Sequence, residues 1–349
     1  MSHNILITGA SGYLGGTILA RWNNAKLPPY NTLYALVKTP EQGEKVKQYG
    51  AKPLIANIND HETVTQLIID KKITIIYFLI DAFTGKHQPT LIKALGRVKQ
   101  ETNLEVHFLQ TTGAKLFSRH AGIPNDRPLL DTDPELYDIV KNATPPHEFV
   151  IEPANANLNV IDISEAHGVR SYIFAPCLVY GRGEGFGNQI SIQDVDIVRA
   201  AKKLRRVYRV DTDNPSWPVS HVADTADLYL QILRKILSGD AIGYGKKGFF
   251  LAASGSLPWN DVYAAMAKGL AKHNVVDDEV VMDADEFVLA RMGEALGVPP
   301  SAVPVVLGGK CSFTAVHGNQ IGWTAKYPPE HFFEVVDEEV DLIVQHLVD

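Results

Sequence analysis

Three glycines at positions 9, 12 and 15 carry the first chemistry that can be read from the chain. The run Thr8-Gly9-Ala10-Ser11-Gly12-Tyr13-Leu14-Gly15 follows an apolar stretch at residues 5–7. It leads into an apolar helical pattern at Leu14, Ile18, Leu19 and Trp22. A strand, a tight glycine turn and a helix in this order make an anion site, because the first N–H groups of the helix have no partners within it. Gly9 lets the chain turn sharply. Gly12 lets a pyrophosphate approach the backbone, and Gly15 lets the new helix pack closely on the strand. The spacing therefore predicts dinucleotide binding, with Thr8, Ser11, Tyr13 and Leu14 beside the glycines at the site.

The second apolar run, residues 32–37, ends at Lys38 with no acid after it. A carboxylate at that place would accept from both hydroxyls of an adenine ribose, whereas a cation accommodates a 2′-phosphate. NADP is therefore the favoured cofactor and NAD the open alternative. A third run, residues 53–56, leads into Asn57-Ile58-Asn59-Asp60, a turn placed to touch the adenine edge.

These residues need a scaffold, and the remaining pattern supplies one. Polar helical patterns over 40–49, 61–70 and 89–101 alternate with apolar runs at 74–80 and 106–110. Five strand–helix alternations predict a doubly wound α/β parallel sheet. Ile80 and Asp81 follow the fourth run and Thr111-Thr112-Gly113 follows the fifth, so these stretches face the same cleft. Asp81 has two readings, a bond to the cofactor ribose or a cap on the following loop. Asp133 and Pro134 start a helix over 133–141, which Pro145-Pro146 ends; a second helix is expected over 156–167. A sixth strand at 171–175 delivers Pro176-Cys177-Leu178-Val179-Tyr180-Gly181, and a mobile Gly-rich loop is expected over 181–187. The division that follows is a dinucleotide-binding domain over 1–180, with its sheet completed by about 205–237. A smaller, mostly helical substrate lobe comprises 181–204 and 238–349.

The 349 residues carry a formal net charge of −7 and 45% hydrophobic residues. The acidic balance argues against nucleic-acid and anionic-membrane surfaces. Two cysteines, Cys177 and Cys311, give neither a disulfide framework nor a Cys-rich zinc site, and no His/Cys/Asp/Glu set has metal-ligand spacing. No apolar run is long enough to span a membrane, and the first strand begins almost at residue 1, so a soluble cytoplasmic protein is expected.

Four stretches together resemble the extended, atypical short-chain dehydrogenase/reductase superfamily, and within it the epimerase/dehydratase-like proteins common in fungi. They are residues 8–15, Pro176-Cys177-Leu178-Val179-Tyr180-Gly181, Ser220-His221-Val222-Ala223-Asp224 and Ile321-Gly322-Trp323. The resemblance implies a Rossmann-type lobe that binds NAD(P), with contacts from Ile80, Thr111, Pro176 and Leu178 as well as the glycine turn. It also implies a tyrosine acting as general acid/base, a lysine four residues later, and a hydroxyl residue at the end of the fifth strand. Tyr137, Lys141 and Thr112 are the residues that answer to these roles, and Lys141 would also hold the nicotinamide ribose. Residues i and i+4 share a helix face, and a phenol needs a neighbouring cation to work as a base near neutrality.

A second register is available. Counting back from Pro176 by the interval usual in the family reaches Phe149 and Pro153 instead. Either an insertion containing Pro145-Pro146 follows Lys141, or the pair has been lost. The expected function is NADP(H)-dependent reduction of a carbonyl, or oxidation of a secondary alcohol, of a small organic molecule. The alternatives are an epimerase or dehydratase that recycles its cofactor, and a non-catalytic NAD(P) sensor similar to NmrA-like proteins. A homodimer remains an open option, as many relatives pair through helices of the Rossmann lobe.

Overall fold

The computed structural model describes residues 2–80, 82 and 84–347. Its centre is a seven-stranded, all-parallel sheet. The strands are β1 (Asn4–Ile7), β2 (Thr32–Val37), β3 (Lys52–Ile55), β4 (Ile75–Phe78), β5 (His107–Thr111), β6 (Arg170–Pro176) and β7 (Phe249–Ala252). They lie in the order β7-β6-β5-β4-β1-β2-β3. The order reverses between β1 and β4, and such a reversal opens a crevice at the carboxyl ends of the strands.

The strands are apolar throughout because both faces of the sheet are covered. Ile5, Ile7, Ile75 and Tyr77 pack with α1 (Tyr13–Trp22) and α8 (Val222–Ser238) on one face. Leu6, Ile76, Phe78 and Phe108 pack with α3 (His61–Asp70), α4 (Gln88–Thr102) and α6 (Glu148–Ala166) on the other. This second core runs on without a break into the C-terminal helices α9 (Trp259–Lys272) and α13 (His331–His346).

The sequence-based boundaries differ from the structure in three places. The seventh strand comes from 249–252, inside the segment assigned to the substrate lobe. Residues 205–237 contribute α8 and the strand Ser216–His221, which belongs to a separate three-stranded sheet with Leu178–Tyr180 and Gly255–Pro258. Finally, α6 begins eight residues before the expected 156 and contains Pro153. A proline this near a helix start gives up one backbone hydrogen bond without ending the helix.

Candidate functional site

Each strand end that was expected to meet a cofactor opens on the same edge of the sheet, as the parallel order requires. At β1, Thr8 is fully buried, and its hydroxyl accepts from the Leu79 N–H at 2.9 Å, tying the glycine turn to the end of β4. Gly9 has φ +67°, a left-handed conformation that favours glycine. A Cβ on Gly15 would lie 2.2 Å from the Gly9 carbonyl oxygen, so the close packing of α1 requires glycine there. Among the described residues, a Cβ on Gly12 would meet only the Gly9 oxygen, at 3.1 Å. Gly12 is the N-cap of α1; no side chain caps it, and no acid lies in its first turn. The uncapped N–H groups and open approach are what an anion needs.

Lys38 follows β2 and is exposed, with no ion-pair partner for its ammonium among the described residues. Its backbone N–H donates to Gln42 Oε1 at 2.9 Å, and Gln42 Nε2 donates to Ser11 Oγ at 3.4 Å. One side chain thus joins the end of β2 to the glycine turn. Asn57 Oδ1 accepts from the Asn59 N–H, which shapes the turn after β3, and Ile58 is buried beneath it. Ile80 is half-buried after β4; Asp81 lies outside the described residues.

At β5 the two threonines point apart. Thr111 pairs with the Tyr229 hydroxyl of α8 at 2.7 Å, on the face away from α6. The Thr112 hydroxyl accepts from Asn157 Nδ2 of α6 at 3.0 Å. That bond fixes which face of α6 looks at the end of β5. Phe149, Pro153 and Asn157 are spaced i, i+4, i+8 and form one stripe along that face. Phe149 is largely exposed and Pro153 buried.

Tyr137 and Lys141 lie elsewhere. They sit on α5 (Leu136–Asn142), where the buried Tyr137 hydroxyl donates to Asp162 Oδ1 at 2.6 Å. Asp162 is about 7.5 Å along α6 from Asn157 and about 140° around it, so Tyr137 meets a different face, further from the cleft. The exposed Lys141 ammonium stands 5.6 Å from the Tyr137 ring centroid, and the Lys246 ammonium stands 4.7 Å from it. Burial, followed by Asp162, pushes the phenol up to about 12, opposite to what an activated base requires. The expected Tyr137–Lys141–Thr112 set is therefore not assembled, and the Lys141 role at the ribose has no geometric support.

A lysine not singled out from the sequence follows Thr112 by three residues. Lys115 sits on a short turn, Ala114–Phe117, that follows β5. Its ammonium donates to the carbonyls of Val305 and Val306, the latter at 2.6 Å, at the end of helix α11 (Val303–Leu307). The same ammonium lies 5.5 Å from the centroid of the buried Trp217 ring. Burial pushes it down to about 7, against the pull of Asp196. The available sequence signal was its position three residues past Thr112.

Pro176 and Cys177 are half-buried at the end of β6, Leu178 is buried, and burial pushes the Cys177 thiol upward. Asp224 accepts from the N–H groups of Lys326 and Tyr327, and His221 Nδ1 accepts from the Ala223 N–H. Among the described residues no group of three or more His, Cys, Asp or Glu could hold a metal, and no helix is long and apolar enough to cross a membrane.

A seven-stranded parallel sheet with a glycine turn at its switch point defines a Rossmann-like α/β protein. Over nearly its whole length the chain is similar in fold to several nucleotide-sugar enzymes. UDP-glucose 4-epimerase from Thermotoga maritima, solved with UDP-glucose, superposes with a TM-score of 0.63 at 14% identity, covering 98% of this chain and 99% of that one. dTDP-glucose 4,6-dehydratase from Bacillus anthracis, solved with NAD, gives 0.63 at 11% identity, covering 99% and 97%. A monomeric L-threonine 3-dehydrogenase of metagenomic origin gives 0.58 at 15%, covering 98% and 99%. At these identities the likeness is one of fold. No protein-family model matches the chain, and no curated protein matches it in sequence.

Proposed function

We propose that the protein is a nicotinamide-dinucleotide oxidoreductase, favouring NADP(H), that reduces a carbonyl or oxidises a secondary alcohol of a small organic molecule. The observation that carries this reading is the open approach to Gly12 at the uncapped N-terminus of α1, on the switch-point edge of the sheet. The exposed Lys38, with no acid at the end of β2, supports a 2′-phosphate on the ribose. Neighbours of similar fold were crystallised with NAD, which supports a dinucleotide of this class.

When bound, the nicotinamide exchanges hydride with the substrate carbon. Thr112 accepts from Asn157 and so keeps its own hydroxyl proton for a substrate oxygen. Lys115 spends two of its three donors on Val305 and Val306, and we assign the third to the same oxygen. In reduction the carbonyl carbon gains the hydride, and the oxygen takes a proton from the Lys115 ammonium, which solvent then recharges. A group poised near 7 suits that exchange.

A second reading is a dinucleotide sensor without turnover. It is favoured by Phe149 and Pro153 on the stripe of α6 that faces Thr112, where an acid/base pair would have stood.

Titration with NADPH and NADH, followed by nicotinamide fluorescence, and then a panel of aldehydes and ketones tests both readings. Tight NADPH binding with consumption is expected, and Lys38→Asp should weaken NADPH more than NADH. Binding without net consumption would favour the sensor, or an epimerase or dehydratase that regenerates its cofactor. No binding of either nucleotide would overturn the proposal.

A further inference from the structure

The segment 181–191, whose first part, 181–187, was expected to be a mobile Gly-rich loop, is bonded to the dinucleotide turn and the start of α1. The Asn188 N–H donates to the Ser11 carbonyl at 2.9 Å, and the Glu184 N–H donates to Thr17 Oγ1 at 3.1 Å. Arg21 of α1 pairs with Glu184 at 3.1 Å. The Tyr13 hydroxyl donates to the Gly181 carbonyl at 2.6 Å. The approach is close enough to demand glycine: a Cβ on Gly187 would lie 2.1 Å from the Ser11 oxygen, and one on Gly185 would lie 2.5 Å from Gly16 Cα.

Both ends of this strap are held by one carboxylate from the other end of the chain. Glu339 of α13, 2% exposed, accepts from the Gly181 N–H at 2.8 Å with Oε2 and from the Ser191 hydroxyl at 3.3 Å with Oε1. Asp194, at the start of α7 (Gln193–Leu204), is fully buried beside it. Two adjoining buried carboxyls cannot both ionise, so the pair keeps a proton between them. Burial raises both; Glu339 raises Asp194 further, whereas the bonds from Gly181, Ser191 and Asp194 pull Glu339 back down.

We propose that Glu339 is a positioning residue for dinucleotide binding: from α13, through the strap 181–191, it holds residues 11–17 in their phosphate-binding shape and so sets the affinity and release rate of the dinucleotide. The inference rests on the dinucleotide reading above. It adds that α13, near the C-terminal end of the chain, controls that site.

The test is NADPH titration and stopped-flow release for the wild type, Glu339→Ala, Glu339→Gln and Gly187→Ala, each with its thermal midpoint. Glu339→Ala should raise the dissociation constant by about tenfold or more and speed release. Glu339→Gln should recover to within about threefold of wild type, since a carboxamide still offers an oxygen to Gly181 and a second polar atom to Ser191. Gly187→Ala forces the strap from Ser11 without touching the acid pair, so it should weaken binding similarly, with a lowered thermal midpoint from the 2.1 Å approach to the Ser11 oxygen. It also serves as the test if Glu339→Ala does not fold. Wild-type binding that survives Gly187→Ala unchanged, or a Glu339→Gln variant as weak as Glu339→Ala, would overturn the inference. Failure of the wild type to bind would instead refute the dinucleotide reading on which it rests.

Discussion

At the scale of single residues, the glycines of the first turn have separable duties. Gly12→Ala adds a methyl that meets only one protein atom within 4 Å, so the fold should tolerate it, yet that methyl stands where a pyrophosphate must approach. The expected result is a near-native thermal midpoint with NADPH affinity lowered by about tenfold or more. Gly15→Ala forces a Cβ to 2.2 Å from a backbone oxygen, and should cost about 2–3 kcal/mol of stability in denaturant titration, an overpacking penalty. The reverse pattern would mean that Gly12 faces protein rather than ligand. The acid/base assignment has a comparable contrast. Tyr137→Phe removes a bond to Asp162 and should leave turnover unchanged, while Lys115→Met should abolish turnover and retain dinucleotide binding. For the reductive direction the charged lysine is the donor, so kcat/KM should fall as pH rises through about 7. A profile flat across that range would exclude Lys115 as the proton source.

Among the elements, α6 decides what the site contains, and it was the element read least well. Pro145-Pro146 and Pro153 mark breaks in local propensity, yet the helix runs from Glu148 through Pro153 because its other face packs against α4 and the sheet. Once that register is fixed, Asn157 bonds Thr112, Phe149 and Pro153 follow on the same stripe of α6, and Tyr137 of α5 bonds Asp162 instead. The short segment that precedes α5 has its own role. Asp131 Oδ2 accepts from the Leu251 N–H at the free edge of β7, and Oδ1 accepts from the His317 N–H at the start of α12 (Val316–Gln320). Asp131→Ala would leave both buried N–H groups without partners and should cost about 2–4 kcal/mol by chemical denaturation. A loss below about 0.5 kcal/mol would mean that water replaces the carboxylate.

For the whole molecule, the sheet must shield what its strands bury, and His107 shows the cost. It lies at the start of β5, stacked on Tyr172 and bonded to that hydroxyl at 3.0 Å. Burial, reinforced by His3, Arg170 and Lys99, pushes it down to about 3. Its folded pKa is thus below the usual 6.5, so between those values the unfolded chain binds the extra proton and stability is lost as pH falls. The loss can reach about 1.4 kcal/mol per pH unit over that window. Asp131, pushed up to about 6 by burial, titrates in the opposite sense, so the informative comparison is between wild type and a variant. His107→Gln keeps an acceptor for Tyr172 and should show a shallower loss of stability between pH 6.5 and 4 in urea titrations. Parallel curves would mean that the ring is solvated in the native state.

The sequence by itself determined the elements whose signals are local. A glycine turn at fixed spacing between a strand and a helix, and apolar runs alternating with helical periods, need no distant partner to be recognised. They predicted the parallel sheet, the switch-point cleft and the residues Gly9, Gly12 and Gly15 at its centre. The tertiary structure alone decided which distant side chains come together. Tyr137 and Lys141 satisfied the i, i+4 rule, but that rule says only that two residues share a helix face, not what the face meets. Lys115 acquires its neighbours from Val305, Val306 and Trp217, and Glu339 acquires its role from Gly181 and Ser191. Such contacts join segments more than a hundred residues apart. No local pattern encodes them, because the energy that selects them is the burial and pairing of groups that come together only when the whole chain has folded.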